Sequence, residues 1–142
     1  QHEDIVESPL LHSGAVCILP KDHPLAHSEY VDLGSLHEHR LILLNDTDDI
    51  VIAMRAALRE HKYPEDVVIE TNSSITICSL VAAGVGVGIV NPFVASTFSD
   101  RLVIKELRPR IRIQVVLAQS LTLVPSLLTK RFIEMLKSSV ED

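Results

Sequence analysis

Aromatic side chains are nearly absent: there is no Trp, and two Tyr and three Phe make up 4% of the chain. The core must therefore be assembled from Leu, Ile, Val and Ala, the residues of strands buried on both faces of a parallel sheet, which favours an α/β fold over a β-sandwich. Only two cysteines occur, Cys17 and Cys78, each inside an apolar run where a free thiol behaves as a small hydrophobe. They form no Cys-x-x-Cys pair, and a reducing, cytoplasmic compartment is expected. No stretch approaches the ~20 apolar residues of a membrane span, and the opening Gln1-His2-Glu3-Asp4 lacks the basic and apolar regions of a signal peptide. Without an initiating Met, the chain is expected to be the rear part of something longer. Positive charge is scarce too: 13 Lys and Arg against 19 Asp and Glu give a formal charge of −6. Such a chain repels phosphate backbones on average, so direct DNA binding by this chain is not expected.

What is present is ample apolar material. With 142 residues, 46% of them hydrophobic, the chain can bury one core or two small ones. Ala15–Leu19 is an apolar run stopped by Pro20, and Lys21-Asp22-His23-Pro24 marks a break. Asp32–His37 suggests a helical turn and Leu41–Leu44 a short buried strand. The spacing predicts a helix over Asp49–His61, opened by the acid- and cap-rich Asn45-Asp46-Thr47-Asp48 and presenting Ile50, Met54, Ala57 and His61 on one face. A strand at Val67–Glu70, a helix at Ile75–Ala83 closed by Gly84, and a strand at Val85–Val90 follow. This β-α-β-α-β order implies parallel strands joined by right-handed crossovers. After a second break at Ser99-Asp100-Arg101 come alternating segments at Leu102–Leu107 and Ile111–Ala118. A helix near Pro125–Ser139 closes the chain, with Leu127, Leu128, Phe132, Met135 and Leu136 as its apolar stripe.

Three polar clusters each follow directly on a predicted strand: Asn45, Asp46 and Thr47; Asn72, Ser73 and Ser74; Asn91 and Pro92. In open parallel sheets ligands bind beyond the carboxyl ends of the strands, so these residues are the candidate binding site. Two clusters open helices, whose unpaired N–H groups and positive dipole ends favour a carboxylate. The plain alternative is that they only cap those helices. Gly84, Gly86 and Gly88 lead out of a helix into a strand, the reverse of a dinucleotide-binding turn, and point to close packing; no cofactor is expected. The histidines, including His37-Glu38-His39, lack ligand spacing, and no metal site is expected. Neither a Gly-x-Ser-x-Gly elbow nor a phosphate loop is present, which argues against an enzyme.

Three stretches carry a resemblance: Val16-Cys17-Ile18-Leu19-Pro20 with His23-Pro24-Leu25-Ala26; Val68-Ile69-Glu70-Thr71-Asn72-Ser73-Ser74; and Val81-Ala82-Ala83-Gly84-Val85-Gly86-Val87-Gly88-Ile89-Val90-Asn91-Pro92. Taken in this order, the chain resembles the effector-binding domain of LysR-type transcriptional regulators. The Val-Asn-Pro ending is nearest in look to the branch responsive to diaminopimelate and opines. The resemblance implies a fold like that of type 2 periplasmic binding proteins, two α/β lobes with a small effector between them. Residues 22–98 would be the second lobe, 1–21 a crossover with part of the first lobe, and 99–142 the return crossover and the tail of the first lobe. It implies an amino-acid-like, carboxylate-bearing effector and a dimer or tetramer in the complete protein. Promoter DNA would be reached only through a winged helix-turn-helix that these 142 residues do not contain, nor do they contain the opening β-α-β-α-β of the first lobe. Two other readings stay open: a solute-binding receptor of the same fold, and a small α/β enzyme with Asp46 or Asp48 as base.

Overall fold

The computed structural model describes residues 4–65 and 67–140. Eight strands and four α-helices follow one another along them: β1 (Ile5–Gly14), β2 (Val16–Leu19), β3 (Tyr30–Asp32), β4 (Leu41–Leu44), α1 (Asp49–His61), β5 (Val67–Thr71), α2 (Ser74–Ala82), β6 (Val87–Val90), α3 (Pro92–Ser96), β7 (Val103–Arg108), β8 (Arg112–Ser120) and α4 (Leu127–Val140). Short 3₁₀ turns at Pro24–His27 and Leu33–Glu38 flank β3. The chain divides into two units, Gly14–Ile113 and the pair of segments 1–13 and 114–142.

The Gly14–Ile113 unit is built on a six-stranded sheet of order β3-β7-β2-β6-β4-β5. β4 runs parallel to β5 and β6, β3 runs parallel to β7, and β2 is antiparallel to both β6 and β7. Five strands thus share one direction and β2 alone opposes them. All four residues of β4 and all four of β6 are buried, as expected for strands covered on both faces. Ile18, Leu19, Ile42, Leu43, Met54, Ile77 and Ile89 are among the fully buried side chains. Burying each stabilises the fold by roughly 1.5–3 kcal/mol relative to exposure.

Helix α1 occupies the predicted span Asp49–His61, opened by Asp48, whose Oδ1 accepts the Ile50 N–H at 2.9 Å. Its buried stripe is Ile50, Val51, Met54 and Leu58, turned from the expected face. His61 lies outside, with Nδ1 donating to Ala57 O at 2.9 Å and the ring stacked on Tyr63. Helix α2 buries Ile77, Cys78 and Val81, while Ile75 in its first turn is 61% exposed, so its apolar surface is not covered all round. β6 begins at Val87 rather than Val85 because the helix cap claims the two residues before it. Gly84 takes φ +79°, its N–H donates to Val81 O at 2.9 Å, and the Val85 N–H donates to Leu80 O at 3.0 Å. These are the paired bonds of a Schellman motif. Asn91-Pro92, expected only to end a strand, also opens α3, with Pro92 in the first turn where its missing N–H costs nothing.

In the unit formed by 1–13 and 114–142, β1 pairs with β8 and the Leu121 N–H donates to Asp4 O at 2.8 Å. β1 was not expected as a strand, since Glu7, Ser8, Pro9 and His12 break its alternation; a ribbon of two strands tolerates Pro at its free edge. Helix α4 carries the predicted stripe, but within this chain that stripe stands open: Leu127, Leu128, Phe132 and Met135 are 62–78% exposed.

Two substitutions test the packing. A Cβ at Gly88 would come within 2.5 Å of Ile77 Cγ2, and Ile18 closes the other side. Gly88→Ala should therefore cost ~1–3 kcal/mol in urea unfolding through overpacking between α2 and the sheet. Lys62, just past α1, holds a left-handed conformation at φ 55° while its N–H donates to Arg59 O and that of Tyr63 to Leu58 O. Lys62→Gly relieves the Cβ clash and should raise stability by up to about 1 kcal/mol in the same assay.

Candidate functional site

The polar clusters sit where the sheet topology sends them. Because β4, β5 and β6 are parallel, Asn45, Asn72 and Asn91 all emerge at one edge of the sheet. From β4 the chain steps outward to β5 and then returns across β4 to β6. With right-handed crossovers, that reversal places α1 and α2 on opposite faces and makes a switch point between the ends of β4 and β6. Asn45, Asp46 and Thr47 flank it on one side and Asn91 and Pro92 on the other; Asn72, Ser73 and Ser74 start from the neighbouring strand β5.

Each cluster has local work. Asn45 Oδ1 accepts from the Thr47 backbone N–H at 3.2 Å and from Thr47 Oγ1 at 2.6 Å, closing the turn before α1. Asp46 pairs with Arg55 of α1, which also pairs with Glu65. Burial by itself would lower the Arg55 pKa, and the two carboxylates more than offset it, so the guanidinium stays firmly charged. Ser73 caps α2, its Oγ accepting from the Thr76 N–H at 3.4 Å, and Asn91 caps α3, its Oδ1 accepting from the Val94 N–H at 2.9 Å. Among the described residues, the side chains of Asn72 and Ser74 make no such bond.

The two longer helices that open at this edge, α1 and α2, differ in how their N-termini are charged. α1 has Asp48 as its cap and Asp49 in its first turn, two carboxylates that already answer its positive end. α2 is capped by the neutral Ser73 and has no acid in its first turn. An arriving anion therefore meets repulsion at α1 and open N–H groups at α2.

Other chemistry finds little support. Burial pushes the Cys17 thiol up to about 12 and raises that of Cys78, so both stay protonated and are poor nucleophiles. Among the described residues no three His, Cys, Asp or Glu side chains gather as a metal site would require. In the His37-Glu38-His39 stretch, His37 Nδ1 donates to Gly34 O at 2.6 Å, and His39 lies edge-on to His23 with ring centroids 4.8 Å apart. His23 caps the first 3₁₀ turn, its Nδ1 accepting the Leu25 N–H at 3.2 Å. That bond requires a neutral ring. Sequence reading missed this cap, because histidine is not among the usual capping residues, and it missed Arg55 as the partner of Asp46, because the pairing spans the turn and the first two turns of α1 and depends on how that turn folds back.

Comparison with known proteins places this geometry. The sequence profile of the LysR substrate binding domain matches residues 1–141. The transcriptional activator protein LysR of Escherichia coli (strain K12) is 30% identical over 124 residues, 87% of this chain and 40% of that protein. The regulatory protein NocR of Agrobacterium tumefaciens (strain T37) is 36% identical over 91 residues, 64% of this chain and 30% of that protein. The chain thus spans well under half the length of these relatives. Among solved structures, the regulatory domain of CcmR from Synechocystis PCC6803, determined in complex with 2-PG, superimposes over 100% of this chain and 70% of its own with a TM-score of 0.79 at 20% identity. The fold is that of LysR regulatory domains, like type 2 periplasmic binding proteins.

The His23 cap yields a test. Burial lowers the His23 pKa, His39 adds to the effect, and Asp22 opposes it. The unfolded chain therefore binds a proton more readily than the folded one, and stability is lost as pH falls below the ordinary histidine value of about 6.5. Thermal melts should show the melting temperature dropping below that pH. His23→Asn, which keeps a cap acceptor but does not titrate, should flatten the dependence; an unchanged slope would remove His23 from its cause.

Proposed function

Because the chain belongs to the LysR substrate-binding-domain family, we propose that it is the effector-sensing part of a transcriptional regulator and holds a small carboxylate-bearing, amino-acid-like ligand at the strand-end edge of the Gly14–Ile113 unit. The observation that carries this reading is the charge asymmetry at that edge: α1 opens on two acids, α2 on none. Asn45, Thr47, Asn72, Ser73, Ser74, Asn91 and Pro92 are the candidate lining, with Asp46 turned toward Arg55. The ligand acts by differential binding to two arrangements of the complete regulator, which then acts on promoter DNA through a reader domain outside these residues. Neither catalysis nor a cofactor enters this reading, and the buried, protonated Cys17 and Cys78 offer no thiolate nucleophile.

The lobe assignment is part of the proposal. Residues 22–98 form the second lobe, and the compact unit Gly14–Ile113 supports this while drawing β2 and β7 into the same sheet. Residues 1–21 and 99–142 supply the crossovers and part of the first lobe. The open stripe of α4 and the groove of about 580 Å³ beside it, lined by Leu117, Leu123, Val124, Phe132 and Ile133 among others, fit an element made to be covered by the rest of that lobe. The complete regulator works as a dimer or tetramer.

The test is calorimetric titration of the complete effector domain with amino dicarboxylates, diaminopimelate among them. Ser74→Ala removes one hydroxyl and should weaken binding by ~1 kcal/mol. Ser74→Glu sets a competing carboxylate at the start of α2 and should abolish it. If folded Ser74→Glu protein binds as wild type does, Ser74 is only the first residue of α2 and the anchor lies elsewhere.

A further inference from the structure

The sequence between β7 and β8 reads Arg108-Pro109-Arg110-Ile111-Arg112, three arginines within five residues of a chain whose formal charge is −6. Topology places this cluster at the same edge as the three polar clusters. β6 and β7 are both antiparallel to β2, so β7 also ends at the edge where β6 and β4 end. Register makes this tighter: Val16 of β2 is paired with Val90 on one side and Glu106 on the other, so those two residues stand level. Gly14 precedes β2 by two residues and, because β2 runs antiparallel to β6 and β7, the chain enters β2 from that same edge.

Arg110 comes back to that point. A Cβ at Gly14 would lie 2.8 Å from Arg110 Nε and 3.6 Å from Cζ, so the guanidinium arm rests against the bare Cα of the glycine. Ala15 and Ile111 fix the two backbones there, the Ala15 N–H donating to Ile111 O at 2.8 Å. The three arginines are not equivalent. Arg108 is engaged, its Nε donating to Glu106 Oε1 at 3.1 Å and its guanidinium lying 4.1 Å from the centre of the Tyr30 ring. Among the described residues Arg110 has no acidic partner and no side-chain hydrogen bond.

We propose that Arg110 is the charged anchor for the acidic group of the ligand, an oxyanion of the carboxylate or phosphate kind. It presents a planar fork that such a group meets with two parallel hydrogen bonds. Gly14 is the residue that leaves room for it. The inference rests on reading this edge as the effector site and goes beyond it by adding a fixed charge.

The complete effector domain is titrated in three forms, wild type, Arg110→Gln and Arg110→Lys, with diaminopimelate, its diamide, which lacks both carboxylates, and inorganic phosphate as probes. Melting of each form without ligand checks the fold. The expected result is an acidic probe that binds wild type, binds Arg110→Gln at least tenfold more weakly, and binds Arg110→Lys in between, while the diamide shows no such dependence. Dependence seen with phosphate alone assigns the anchor to a phosphate-bearing ligand; dependence seen with diaminopimelate assigns it to a carboxylate. Equal affinity of wild type and folded Arg110→Gln for an acidic probe overturns the proposal and leaves the effector reading standing. Binding of the diamide but of neither acid overturns the oxyanion class and Arg110 with it. If no probe binds wild type, the effector reading in its amino-acid form fails, and the anchor fails with it.

Discussion

The feature on which the rest depends is the double burial of β4 and β6. Every residue of both strands is inside, so neither can carry a polar side chain along its length. Polar chemistry is therefore pushed to the strand ends, and parallel pairing with right-handed crossovers decides which end. The carboxyl ends of β4, β5 and β6 must each release the chain into a helix, and that release needs side-chain acceptors for orphaned N–H groups. Asn45, Asp48, Ser73 and Asn91 supply them. Capping and the proposed ligand recognition thus draw on the same residue types in the same place. The caps keep one acceptor occupied in each cluster, and for the proposed ligand this leaves free helix N–H groups, the Ser74 hydroxyl and the Asn72 amide, each able to donate.

The reversed strand β2 is what brings basic residues to that edge. Were β2 parallel to its neighbours, its N-terminus and the entry from β1 would lie at the opposite edge, away from the strand ends where Asn45 and Asn91 emerge. Antiparallel, it places Gly14 beside the end of β7 and lets Arg110 lie across it.

Much of this was legible in the sequence, and the reasons differ by element. The span of helix α1 is legible because acids and caps open it and Ile50, Met54 and Ala57 recur at helical spacing, while the face it buries is Ile50, Val51, Met54 and Leu58. The four-residue strands were legible as unbroken apolar runs bounded by polar ones. Orientation within an element was less so: His61 looked like a core residue by spacing, yet a backbone bond to Ala57 and the stack on Tyr63 satisfy it outside. Short elements escaped, since β3 has three residues and α3 five, too few to show a period. The polar clusters were found because each follows a strand. Arg110 was not, because its place depends on the register of β2 with β7, a pairing between residues some ninety positions apart in the chain.

Magnitudes decide how much each part of the edge contributes. A charge at an exposed helix terminus is worth roughly 0.3–1 kcal/mol, whereas an effector held at micromolar concentration needs about 8 kcal/mol of binding free energy. The start of α2 alone is therefore an orienting device and not the source of affinity. A hydrogen bond to a charged group adds roughly 1.5–3 kcal/mol, and a paired set from a guanidinium enforces a planar oxyanion as well. In a chain of formal charge −6, that local charge also offsets the repulsion an anion meets on approach. The remainder must come from burying the body of the ligand. In the proposed site, selectivity for the acidic end and affinity for the rest thus have separate physical sources, and substitutions at Ser74 or Arg110 would act on the first.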